Sequence, residues 1–257
     1  MRRLAAVLAG VLVLAVVLVV YATRTPDAYD KPGSKGSTVG GQKVVVVGPR
    51  TATRKVAIYV HGAGETAAKS FGNQQMAPIF STLLAHGYAV AADDAHGDQW
   101  GNPTSYGDYA RLVETLKARG LSEVYVIARS MGGFNGLQLL QTVHVEAWAG
   151  IVPACNLRSI YDLGRFAPSI RAAYGPKLAG ALRAGSPVHI DYRRGLPMRF
   201  WASPADTVVP KALNTDVCAR EARERGANVT VTTTGGDHGD PSDYDPDAVL
   251  RLFESAG

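Results

Sequence analysis

What the sequence lacks narrows it first. Two cysteines in 257 residues exclude a small scaffold stapled by disulfides, and no C-x-x-C pair or His/Cys cluster offers a structural zinc site. Excess charge is scarce: 27 Lys and Arg against 22 Asp and Glu leave a formal +5, and Arg2 and Arg3 account for part of it. No Lys/Arg run and no basic–aromatic interleaving is present, so nothing points to a nucleic-acid partner. The 28 glycines and 14 prolines fall at turns rather than in tracts, which excludes collagen-like and low-complexity chains. No internal repeat is visible. What is there, 257 residues with 46% hydrophobic and 19% charged, suits one α/β domain or two small ones.

One long apolar run is present. Residues 4–22 carry no charge behind Arg2 and Arg3; as a helix they span about 28 Å, close to the hydrocarbon core of a bilayer. That length favours an uncleaved signal-anchor, while the weak small-x-small site Val20-Tyr21-Ala22 keeps a cleaved signal peptide open. With the arginines held inside, both readings place the body outside the cytoplasm, touching the membrane through the N-terminal segment only. Residues 23–42 are polar, rich in Gly, Pro, Ser and Thr, and read as a flexible linker. In an oxidising compartment Cys155 and Cys218 either pair, worth roughly 4 kcal/mol on chain-entropy grounds, or remain two buried thiols.

From residue 43 onward, β-branched runs alternate with longer helical patterns. Strands are expected at 43–47, 55–60, 88–92, 123–128, 145–152, 198–202 and 228–233. Helices are expected at 67–86, 109–119, 132–142, 211–225 and 248–255, several closed by glycine. Asp245 and Pro246 supply the N-cap and first turn of the last helix. This alternation predicts a mostly parallel sheet with helices on both faces, in one domain over 43–257. Residues 156–196 interrupt it, with short helices at 159–165 and 176–183, and read as a small cap.

Ala128-Arg129-Ser130-Met131-Gly132-Gly133 follows a buried strand and opens a helix. A serine there is thrust above the sheet on a sharp turn, with small neighbours where backbones approach. The helix N-terminus behind Ser130 favours developing negative charge. The glycine-rich turn His61-Gly62-Ala63-Gly64 ends another strand. The backbone N–H of Ala63, with Gly64 as a further donor, and that of Met131 form a candidate oxyanion hole. Asp206 follows the strand 198–202, and His238 follows the last strand. Ser, Asp and His thus each stand at the C-terminal end of a strand, where open α/β sheets build their sites.

With these pieces the sequence resembles the α/β-hydrolase family over essentially all of 43–257. The matching motifs are H-G-A-G at 61–64, A-R-S-M-G-G at 128–133, S-P-A-D-T-V-V-P at 203–210 and G-D-H-G at 236–239. Ser186-Pro187-Val188 also looks like members near the dienelactone-hydrolase and prolyl-peptidase branch. The departure is Ala128, which stands where the family's G-x-S-x-G has its first glycine. The resemblance implies Ser130 as nucleophile, His238 as base and Asp206 as the acid that orients it. The expected activity is that of an exported, esterase- or lipase-like serine hydrolase acting on a small-molecule carboxylic ester, with no metal or cofactor. An acyltransferase or peptidase with the same triad, or an inactive hydrolase-fold binding protein, is the alternative.

Other residues have plainer readings. Asp162 is a rival triad acid, and Asp237 reads as solvated or turn-forming. His61 is expected to brace the oxyanion turn, and His96 to be a loop histidine near the pocket rim. Residues 243–254 mimic a calcium loop, but Ala248 stands where the sharp-turn glycine is needed, and helix capping explains the acids better. Trp100, Trp148 and Trp201 read as core.

Overall fold

Apolar runs without polar alternation belong in a sheet covered on both faces. The computed structural model, which describes residues 37–49, 51–184 and 189–256, places them there. Its strands are β1 (Ser37–Val39), β2 (Gln42–Val47), β3 (Lys55–Val60), β4 (Ala89–Asp93), β5 (Glu123–Arg129), β6 (Trp148–Ile151), β7 (Pro197–Ala202) and β8 (Asn228–Thr233). They form one sheet in the order β1-β2-β4-β3-β5-β6-β7-β8. β2 runs antiparallel to β1 and β4, and every later neighbour pair is parallel. The expected mostly parallel sheet is therefore the observed one.

The helices are α1 (Ala67–Phe71), α2 (Ala77–Ala85), α3 (Pro103–Ala118), α4 (Gly132–Gln138), α5 (Leu157–Asp162), α6 (Ala167–Tyr174), α7 (Leu178–Ala184), α8 (Thr215–Glu224) and α9 (Pro246–Glu254). Strand pleating sorts the core into two layers. Val56, Ile58 and Val60 of β3 pack with α3, α4 and α8, whereas Ala57 and Tyr59 pack with α1, α2 and α9. In the second layer Phe253 packs against the rings of Tyr88 and Tyr125, at centroid distances of 5.8 and 4.8 Å, and the two tyrosines touch each other at 5.0 Å. Truncating so buried an aromatic costs about 3–5 kcal/mol.

The structure departs from the expected elements where local side chains intervene. The helix expected at 67–86 is two: Gly72 ends α1, and Asn73 Oδ1 then accepts from the N–H groups of Gln75 and Met76, forming a turn. α3 starts at Pro103 rather than 109 because Asn102 caps it through Ser105 N–H. The helix expected at 211–225 is a 3-10 turn followed by α8, broken at the buried Asn214. The cap holds three helices, not two. β1 lies within the stretch read as linker, pairing with β2 through Val39↔Gln42. The expected N-terminal membrane segment, most of the linker, and Ser186-Pro187-Val188 lie outside the described residues. Among the described residues no helix is long and apolar enough to cross a membrane.

Candidate active site

Ser130 sits between β5 and α4 with φ +50°, a left-handed conformation that costs a non-glycine residue energy and persists only when its surroundings enforce it. They do. Its N–H donates to Ile151 O at 3.0 Å, and its carbonyl accepts from the N–H groups of Gly133 and Ala154, both at 2.9 Å. A Cβ on Gly132 would run into the carbonyl of Val60, so that glycine lets α4 start against the end of β3. Ala128 is accommodated from the opposite side: a Cβ on Gly136 would lie 2.6 Å from the Ala128 methyl. The glycine absent at 128 is in effect supplied at 136.

The three predicted residues meet. His238 Nε2 lies 2.9 Å from Ser130 Oγ, and His238 Nδ1 lies 2.7 Å from Asp206 Oδ2. With the Nδ1 proton donated to the carboxylate, Nε2 is left to accept the Ser130 hydroxyl proton. Asp206 is buried, and its other oxygen accepts from the N–H groups of Val208 (2.8 Å) and Val209 (2.7 Å). Asp237 is exposed, as expected, but it also ties two loops together. Its carboxylate accepts from the Thr207 N–H, the Thr207 hydroxyl and the His238 N–H. These donors hold its pKa below the ordinary carboxylate value. Ser203 Oγ donates to Gly236 O at 2.6 Å, a second tie between the same loops.

The 61–64 turn comes against Ser130 at Gly62. Gly64 N–H donates to Asp98 Oδ1 at 2.7 Å, and Gly62 N–H donates to Glu65 Oε2 at 3.1 Å. The N–H groups of Ala63 and Met131 have no hydrogen-bond partner among the described residues. Gly64 is thus engaged elsewhere, leaving the two groups expected as oxyanion donors free. His61 braces this turn: its ring faces the carbonyls of Gly62 (2.8 Å) and Asp94 (3.2 Å).

The rival residues are occupied elsewhere. Asp162 pairs with Arg158 at 2.7 Å on the exposed face of α5. His96 bonds to Asp108 and Gln42 and to no triad member. Asp245 caps α9, and buried Asp243 accepts from Gly239 N–H at 3.2 Å while burial raises its pKa. Trp100, Trp148 and Trp201 are buried. A cavity of about 370 Å³ opens between Trp100, Phe134, Leu157 and Tyr174, flanked by the cap, and no triad residue lines it. Cys155 and Cys218 form a disulfide.

Sequence reasoning missed one group beside the site. Arg129 and Glu65 form an ion pair at 3.0 Å with both side chains largely buried. Burial works against the Arg129 charge, but Tyr59, Tyr244 and Glu65 around it raise its pKa on balance. The available signal was an arginine ending an apolar strand and an acid closing a glycine turn.

No protein-family model and no curated protein matches the sequence. Solved structures do match. Est1E from Butyrivibrio proteoclasticus aligns over 87% of this chain and 97% of its own, with TM-score 0.60 and 15% identity. The Pyrococcus furiosus esterase Pf2001 aligns over 86% and 90%, with TM-score 0.64 and 18% identity. Pyrococcus horikoshii acylaminoacyl peptidase aligns over 84% of this chain but 39% of its own, with TM-score 0.63 and 13% identity. The fold is that of the α/β hydrolases. Within the α/β-hydrolase fold, Ser130, Asp206 and His238 follow β5, β7 and β8, and the 61–64 turn follows β3.

Proposed function

We propose that this chain is a serine hydrolase that cleaves a carboxylic ester through an acyl-enzyme, with Ser130 as nucleophile, His238 as general base and Asp206 as its orienting acid. The observation that carries the reading is the unbroken chain Ser130 Oγ–His238–Asp206, at 2.9 and 2.7 Å, beside two unpartnered N–H groups. His238 takes the Ser130 proton as Oγ attacks the ester carbonyl. Ala63 and Met131 N–H stabilise the tetrahedral oxyanion. His238, charged and held by Asp206, protonates the leaving alkoxide, and water repeats the cycle on the acyl group. The esterases among the structural neighbours support the ester reading.

We also propose export, with the body held at the outer face by the apolar N-terminal run or released after its cleavage. The disulfide supports it, because such bonds persist in oxidising compartments. Steady-state hydrolysis of short p-nitrophenyl esters tests the function. Ser130→Ala is expected to lower kcat by about 10⁴-fold or more, as triad members act as a unit. A variant with near-native turnover would refute the assignment.

A further inference from the structure

Arg129 immediately precedes Ser130, and it is the hub of a closed polar cluster. Its Nη1 donates to Glu65 Oε1 at 3.0 Å, and its Nε donates to the Tyr244 hydroxyl at 2.9 Å. Glu65 also accepts from Asn73 Nδ2 at 2.8 Å, the Tyr59 hydroxyl at 2.9 Å and Gly62 N–H at 3.1 Å. Replacing a buried ion pair by packed apolar side chains is often neutral or stabilising, so stability gives little reason for charge at this spot. Its location gives a better one.

The cluster joins three loops. Glu65 grips the oxyanion turn twice, through its carboxylate on Gly62 N–H and through its own N–H, which donates to Gly62 O at 3.3 Å. A peptide unit is planar, with N–H opposite C=O. Fixing the Gly62 carbonyl therefore fixes the direction of the Ala63 N–H. Arg129 ties that turn to the strand end carrying Ser130. Through Tyr244 it also reaches the segment whose Asp243 holds Gly239, the neighbour of His238. Gln75 Nε2 donates to the carbonyl of the same Gly239.

We infer that Arg129 and Glu65 are positioning residues of this enzyme: they hold the Ala63 N–H and the His238 loop in register with Ser130 for the transition state. The inference rests on the serine-hydrolase reading above. Misplacement of catalytic groups by about 1 Å costs on the order of 100-fold in rate, so Arg129→Met is expected to lower kcat by about that factor. KM should stay within about twofold, because ground-state binding does not use these bonds. Arg129→Lys, which keeps the charge but not the two-armed geometry, should recover part of the loss.

The experiment is steady-state kinetics on a short p-nitrophenyl ester for wild type, Arg129→Met, Arg129→Lys and Glu65→Gln. Inhibition constants for an alkyl boronic acid, which mimics the tetrahedral state, are measured alongside. Positioning predicts that boronate affinity falls in step with kcat/KM, and that Glu65→Gln reproduces the effect if Arg129→Met does not fold. Variants within twofold of wild type, or a lowered kcat with unchanged boronate affinity, would overturn it. Fluorophosphonate labelling of wild-type Ser130 separates the two readings. An unlabelled wild type overturns the serine-hydrolase assignment itself, whereas a labelled, active wild type with indifferent variants overturns only the positioning role.

Discussion

The turn at Ser130 and the cap of α5–α7 both follow central strands, and they are held in opposite ways. The turn is fixed by backbone: two carbonyls, three N–H groups and glycine-sized contacts leave it one conformation. The cap rests on the loop after β4 largely through side chains. Trp100 Nε1 donates to Ser169 Oγ at 2.8 Å, the Tyr174 hydroxyl donates to Trp100 O at 2.8 Å, and Asn102 Nδ2 donates to Ala173 O at 2.9 Å. The Phe166 ring packs at a tilt against Trp100 at 4.9 Å, while Leu163, Arg165 and Lys177 face solvent. The glycine-sized contacts at the turn admit no larger side chain without movement, whereas the bonds under the cap can each be removed by one side-chain change. Chemistry and cover are therefore separable in this molecule.

The largest expected effect crosses the two regions. The Cys155–Cys218 bond ties the loop that donates Ala154 N–H to Ser130 O onto α8. Replacing both cysteines by serine should cost about 4 kcal/mol in chemical denaturation; an unchanged midpoint would show that the loop is held without it. The second effect concerns the footing of the cap. Asp93, at the end of β4, is fully buried, and burial raises its pKa to about 7. Its folded pKa is raised, so its contribution is fully present below the ordinary carboxylate range and is lost as pH rises toward 7. Unfolding free energy should fall by on the order of 1 kcal/mol per pH unit over that window. Asp93→Asn should remove the slope, and a variant retaining it would locate the titration elsewhere.

A third effect probes the turn alone. Gly136→Ala should destabilise by about 1–3 kcal/mol through overpacking against Ala128, and adding Ala128→Gly should restore part of it. Additive losses in thermal unfolding would deny that the two positions share one space. The smallest effect belongs to the cap: Ser169→Ala should cost about 1 kcal/mol and leave kcat/KM unchanged.

The same contrast explains what could be read from the sequence. β3 and β5 are buried in the sheet and show as nearly unbroken apolar runs, and the 61–64 turn and Ser130 follow them directly, whereas His238 follows β8, an edge strand of alternating Val and Thr. β1 was hidden because Ser37–Val39 is short and polar and owes its place to pairing with β2. The break after α1 depends on Asn73 Oδ1 accepting from the N–H groups of Gln75 and Met76, a choice that helical periodicity does not reveal. Asn214 breaks the next helix because its side chain accepts from Cys155 and Asn156 N–H across the fold. Glu65 and Arg129 are far apart in the chain, and only the adjacency of β3 and β5 brings them together.

Fluorophosphonate labelling of the purified protein, mapped by peptide mass spectrometry, tests the central claim most directly. Modification at Ser130 that disappears in His238→Ala is the predicted result. A folded protein that stays unlabelled, or is labelled equally without His238, would contradict an activated serine at this turn.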